Sequence, residues 1–112
     1  MDFLGVIRSK PEQPDLDRLV WVALIPTHPG LALVPPKQGT NPFTREPMLF
    51  FAGADTADVV VSGKPIGRMD WAPDDSRQIS VWSADASGNE AIGGIAADVA
   101  ARLGAIYQRL PE

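Results

Sequence analysis

His28, in the run PTHPG (26–30), is the single histidine of the chain and the first residue to weigh for chemistry. A lone imidazole can serve as a general base or as a metal ligand. The chain has no cysteine, so every other ligand of such a metal would have to be Asp or Glu. No spaced set of carboxylates lies near position 28, and His28 is read as a polar loop residue. Asp70, Asp74 and Asp75, beside Trp71, form a second candidate set. Paired carboxylates can carry acid–base work or hold Mg²⁺ or Ca²⁺. Yet APDDSR (72–77) is also hairpin-loop sequence, in which Asp bonds its own backbone, and it lacks EF-hand spacing. Gly63-Lys64 lacks the G-x-x-x-x-G-K-[ST] frame that cradles phosphates, and no G-x-S-x-G elbow presents a serine. The sequence assigns no catalytic residue, no cofactor-binding residue and no metal ligand.

Contact chemistry is easier to find. GTNPFTREP (39–47) places Phe43 and Arg45 in a turn between extended segments, and aromatic and Arg side chains dominate interface hot spots. Trp82 is the third candidate. If Ile79 and Val81 face inward, Trp82 shares the opposite face with Ser80, Arg68 and Asp70, where a large aromatic is either covered by its own chain or touches a partner.

GTNPFTREPMLFFA (39–52) resembles the arm hairpin of the HU/IHF family of bacterial DNA-bending proteins, whose arm reads roughly G-x-N-P-x-T-G-E before a β-rich stretch. Gly39, Asn41, Pro42, Thr44 and Glu46 match in register, and the resemblance implies a wedge role between base pairs for Pro42. Three features depart from it. Arg45 stands where the family has glycine. The family dimerises through N-terminal helices, whereas eight of this chain's 11 prolines fall in its first 47 residues. The family is strongly basic, and this chain carries a net charge of −4. What is shared is turn chemistry: Asn before Pro initiates the turn, and a threonine hydroxyl bonds back to the chain.

The acidic balance argues against nucleic acid, whose binding draws on Lys and Arg neutralising phosphates, and against an anionic membrane surface. The opening MDFLGVIRSK has Asp2 where a signal peptide needs a basic region, and the longest uncharged apolar run, Leu19 to Ile25, is far short of a membrane span. A cytoplasmic setting is expected. Apolar residues at 45% and charged ones at 21% describe a globular chain, and 112 residues predict a single α+β domain over 1–112.

The elements that must position these residues read as short strands followed by one helix. LVWVALI (19–25), LALV (31–34), EPMLFFA (46–52) and QISVWSA (78–84) are expected strands, and Asp15 can cap a short turn before Leu19. DVVVSGKPIGRMDWA (58–72) is expected as a hairpin with Gly63-Lys64 in a type II′ turn. Ser87 and Glu90 form a capping-box signature. Ile92, Ile95, Ala96, Val99 and Leu103 then recur at helical spacing, with Asp98 and Arg102 as an i,i+4 pair. Gly93 and Gly94 weaken that helix and suggest close packing on the sheet. Gly104 ends it, which makes AIYQRL (105–110) a final strand, although Ile106 and Leu110 also continue the helical phase. The fold class is α+β, a mainly antiparallel meander packed by one C-terminal helix.

MLFF (48–51), VVV (59–61) and LVWVALI are apolar at consecutive positions, as strands buried on both faces would be. One helix covers one face, so the other needs a second layer, the N-terminal segment, or a partner or second copy. The functional expectation is a non-catalytic protein-interaction domain, of the kind small acidic immunity or inhibitor proteins exemplify, contacting its partner through Phe43, Arg45 and Trp82. The alternative is a small-molecule-binding domain or enzyme whose pocket, lined by Trp21, Trp71 or Tyr107, lies between the sheet and its covering layer.

Overall fold

A computed structural model of the chain describes residues 2–34, 37–50, 55–72 and 77–110. Six strands form one antiparallel sheet in the order β2-β5-β6-β7-β1-β8: β1 (Asp2–Ser9), β2 (Leu31–Leu33), β5 (Thr56–Val61), β6 (Lys64–Trp71), β7 (Ile79–Ser83) and β8 (Ala105–Arg109). A separate hairpin pairs β3 (Lys37–Thr40) with β4 (Pro47–Phe50). Among the described residues the α-helices are α1 (Arg18–Leu24) and α2 (Asn89–Arg102), and the fold is α+β. The expected antiparallel sheet packed by a C-terminal helix is present, and so is the strand after Gly104, whose φ of +66° ends α2. The meander holds over β5-β6-β7. Beyond it the N-terminal strand β1 inserts between β7 and β8, which local sequence reading did not assign as a strand.

The largest correction is at 19–25. This apolar run is helix, not strand. Asp17, rather than Asp15, caps it, its side chain accepting from the Leu19 N–H at 2.9 Å. Trp21 and Ile25, one helical turn apart, are fully buried, while Leu19 and Val20 are 70% and 52% exposed. Apolar runs of this length suit either element, and burial of the Trp21 ring decides the outcome. Its indole N–H donates to the Asp55 carbonyl at 2.8 Å, so burial leaves no orphaned donor.

One hydrophobic cluster joins both helices to one face of the sheet. Trp21, Ile25, Ile92, Ala96 and Val99 pack with Ile7, Val59, Met69, Ile79 and Val81. The alternation expected for Met69 and Trp71 against Ile79 and Val81 is present, in the pairs Met69–Val81 and Trp71–Ile79. α2 approaches the sheet at Gly67, where an added Cβ would lie 2.8 Å from Ile92 Cδ1 and 2.3 Å from the Trp82 carbonyl oxygen. The expected role of Gly93 and Gly94 in close packing is not found, since a Cβ at either would meet no heavy atom within 4 Å.

Two turns differ in detail from the sequence reading. The β5–β6 turn is Ser62-Gly63, with φ of +53° and +79°. That is the type I′ pattern of two positive φ values, one residue earlier than the expected Gly63-Lys64 turn. The capping box at Ser87 is replaced by Asp85, which accepts from the Ser87 N–H at 3.0 Å and starts a 3-10 turn (Ala86–Gly88) leading into α2.

The expectation of strands apolar on both faces fails at 19–25. LVWVALI is a helix, and a bulge between Val59 and Val60 leaves Val61 exposed beside the turn. Side chains of the MLFF run lie outside the described residues. The second face of the sheet is mixed rather than apolar: register places Phe3, Val6, Asp58, Arg68, Asp70, Ser80 and Trp82 on it.

Candidate functional site

The β3–β4 tip is built by short-range hydrogen bonds. Asn41 Oδ1 accepts from the N–H groups of Phe43 at 2.9 Å and Thr44 at 3.3 Å, closing an Asx turn over Pro42. The Asn41 carbonyl accepts from the Arg45 N–H at 2.7 Å, and the Asn41 N–H donates to the Glu46 carbonyl at 2.9 Å. Thr44 Oγ1 accepts from the Glu46 N–H at 3.4 Å. The turn chemistry read from Asn41 and Thr44 is therefore present. Arg45, where the HU/IHF arm has glycine, takes a left-handed φ of +61°. The geometry leaves the Phe43 ring 94% exposed, the most exposed large apolar side chain among the described residues.

Trp82 lies where the strand alternation put it, directly across from Arg68 and two residues from Ser80 on the same strand. Its indole N–H donates to Asp70 Oδ1 at 3.2 Å, and the Phe3 ring meets it edge-on at a centroid distance of 5.1 Å. Phe3 is 39% exposed, so the pair forms a half-covered aromatic patch. Beside it Arg68 Nε contacts Asp58 Oδ1 at 3.4 Å. Desolvation by burial raises the Asp70 carboxyl above its ordinary value, while the Trp82 hydrogen bond and the Arg68 guanidinium oppose the rise. Asp74 and Asp75, the other members of the proposed acidic cluster, lie outside the described residues.

His28 is buried, and its ring is fully engaged. Nδ1 accepts from the Gly30 N–H at 2.9 Å, so Nε2 carries the proton and donates to Asp98 Oδ2 at 2.6 Å. Arg102 Nε reaches the same carboxylate oxygen at 2.9 Å, realising the expected i,i+4 pair. Asp98 is held below the usual carboxylate range, first by the His28 hydrogen bond and then by Arg102, against an opposing desolvation effect. With both ring nitrogens occupied, His28 presents no lone pair for proton abstraction. It clamps the turn before β2 to α2. Among the described residues no group of three or more His, Asp or Glu is placed to hold a metal ion.

Trp21 is enclosed in the core and Trp71 is half-buried. Tyr107 is half-buried too. Its hydroxyl is buried without a hydrogen-bond partner among the described residues, and burial pushes its phenol above the ordinary range. Two of the surface depressions lie wholly among the described residues, and these two are not lined by the three aromatics. One, of about 300 Å³, lies between α1 and the start of β8, with Leu16, Val20 and Leu103 as apolar lining and Asp15 and Asp17 as acidic lining. The other, of about 220 Å³, lies between the β5–β6 turn and the start of α2.

Sequence reasoning named Phe43, Arg45 and Trp82 but missed Phe3 and the pairing of Asp98 with His28. The structure does not bring the three named residues into one site: Trp82 belongs to the six-stranded sheet, and Phe43 and Arg45 to the separate hairpin. Phe3 could have been found from the apolar pattern of 3–7 had that segment been read as a strand. Nothing in local spacing links His28 to Asp98, 70 residues away. No protein-family model, curated protein or solved structure matches the chain. No helix among the described residues is long and apolar enough to cross a membrane.

Proposed function

We infer that this chain is a small, non-catalytic protein-interaction domain whose principal contact is the β3–β4 tip. The observation that carries the reading is the 94% exposure of Phe43 on a turn ordered by Asn41. A solvated phenylalanine leaves its full apolar area available to a partner, on the order of 150–250 Å² for an aromatic side chain. Ordering the turn in advance reduces the entropy lost on binding. Arg45 adds a cation two residues away, so the tip suits an apolar pocket with an acidic rim. That chemistry differs from the basic partner which the net charge of −4 alone suggests. The Phe3–Trp82 patch is a second, smaller contact surface. A cysteine-free composition suits a reducing compartment, and the proposal places the domain in the cytoplasm.

Native mass spectrometry of the chain purified gently from its own host, as wild type and as Phe43→Ala, tests this reading. The wild type should carry a second protein or a second copy, and the variant should lose it. Identical bare monomers from both would overturn the proposal. A small added mass retained by both would favour ligand binding instead.

A further inference from the structure

The tip of one chain matches the depression beside α1 in size, polarity and charge. The depression, at about 300 Å³, is at the small end of the range for ligand sites and large enough for one aromatic ring. Leu16, Val20 and Leu103 supply apolar walls, and Asp15 and Asp17 supply negative charge. Val20 is half exposed although it is valine, so the depression leaves apolar area in water that a ring would cover. The tip offers the complementary pair, an exposed Phe43 and, two residues on, an exposed Arg45.

Within one chain the depression is not filled by the tip, because Phe43 stands 94% exposed. We propose that the tip docks in the depression of a second copy of this chain, and that two copies exchange arms about a two-fold axis. Phe43 fills the apolar part and Arg45 pairs with Asp15. A closed, isologous exchange uses each contact twice and leaves no unsatisfied tip or depression to propagate a filament. The proposal rests on reading the tip as a protein contact, and it specifies the partner.

The test is a charge exchange followed by analytical ultracentrifugation over a dilution series. Asp17 is left unchanged because it caps α1. The wild type should sediment at twice 12.0 kDa and dissociate on dilution. Arg45→Glu and Asp15→Lys should each weaken association on the order of a hundredfold, because like charges then face one another. An equimolar mixture of the two variants should restore it. In the mixed dimer one contact joins the two introduced charges, carboxylate to ammonium, and the other keeps the native guanidinium and carboxylate. A wild type that is monomeric at every concentration overturns the proposal, as does a dimer indifferent to Arg45→Glu or a mixture without rescue. If the wild type is monomeric while Phe43→Ala still loses a host protein, the tip remains a protein contact and the second copy is excluded as its partner. Phe43→Ala in the same experiment should also weaken self-association, because the ring no longer fills the depression.

Discussion

Replacing His28 separately by Asn and by Gln distinguishes its two hydrogen bonds. An Asn side chain can place its carbonyl oxygen near the site of Nδ1 and keep the Gly30 N–H satisfied, but it does not reach Asp98. A Gln side chain extends its amide N–H toward the site of Nε2 and keeps Asp98, but it leaves the Gly30 N–H without an acceptor. Both lose the imidazole's packing, so the comparison isolates the polar terms. An amide deprived of its partner in a part-buried site costs about 1–3 kcal/mol. Asp98 is half exposed and retains Arg102, so water can replace what His28 gave it. His28→Asn should therefore be more stable than His28→Gln by about 1–3 kcal/mol, read as a difference in urea midpoint at neutral pH. Asp98 adds a pH dependence with a definite sign. Its folded pKa lies below the unfolded value, so its stabilisation is fully present above the ordinary carboxylate range and is lost as pH falls through the folded pKa. The Asn variant should show less of this acid loss than the wild type. If the Gln variant equals or exceeds the Asn variant in stability, the assigned tautomer is wrong and Nδ1 is not the acceptor that anchors the turn.

Three further outcomes follow from the packing. Gly67→Ala should destabilise by about 1–3 kcal/mol in urea titration, because its Cβ would press on the Trp82 carbonyl and on Ile92; an unchanged midpoint would mean α2 does not bear on the sheet there. Tyr107→Phe removes a buried hydroxyl that has no partner among the described residues, and should raise stability by about 1–3 kcal/mol; a loss would reveal a partner for that hydroxyl. Asp70→Asn should stabilise the fold at neutral pH, since burial raises the Asp70 pKa and disfavours its charged form, while an amide oxygen still accepts from Trp82. Because the folded pKa is the higher one, the wild type's deficit should shrink as pH falls through it and vanish below the unfolded value. Equal stability of both forms across the pH range would contradict this.

Much of the sheet is legible locally. Alternation at Met69, Trp71, Ile79 and Val81 gives β6, β7 and the face that Trp82 occupies, and helical spacing from Ile92 to Val99 gives α2. Asn41 and Thr44 announce the tip, because their side chains act on backbone groups two or three residues away. The failures share a cause, which is tertiary choice. LVWVALI has strand composition, yet the Asp17 cap and the slot for Trp21 beside Asp55 make it a helix. β1 has an apolar pattern over 3–7, but its place between β7 and β8 depends on partners near residues 80 and 107, beyond local reading. The His28–Asp98 clamp and the depression formed by Leu16, Val20 and Leu103 join segments far apart in the chain, so no local spacing could disclose them.

The central claim is that Phe43 is a contact residue, and ¹⁹F NMR of fluorophenylalanine-labelled protein tests it most directly. The chain has four phenylalanines, and a Phe43→Leu variant assigns the relevant signal. In dilute purified protein that signal should sit at the position of a solvent-exposed ring. Raising the protein concentration, or adding host extract, should shift or broaden it more than the signal of Phe3. A Phe43 resonance that stays sharp and unmoved under both conditions would contradict the account.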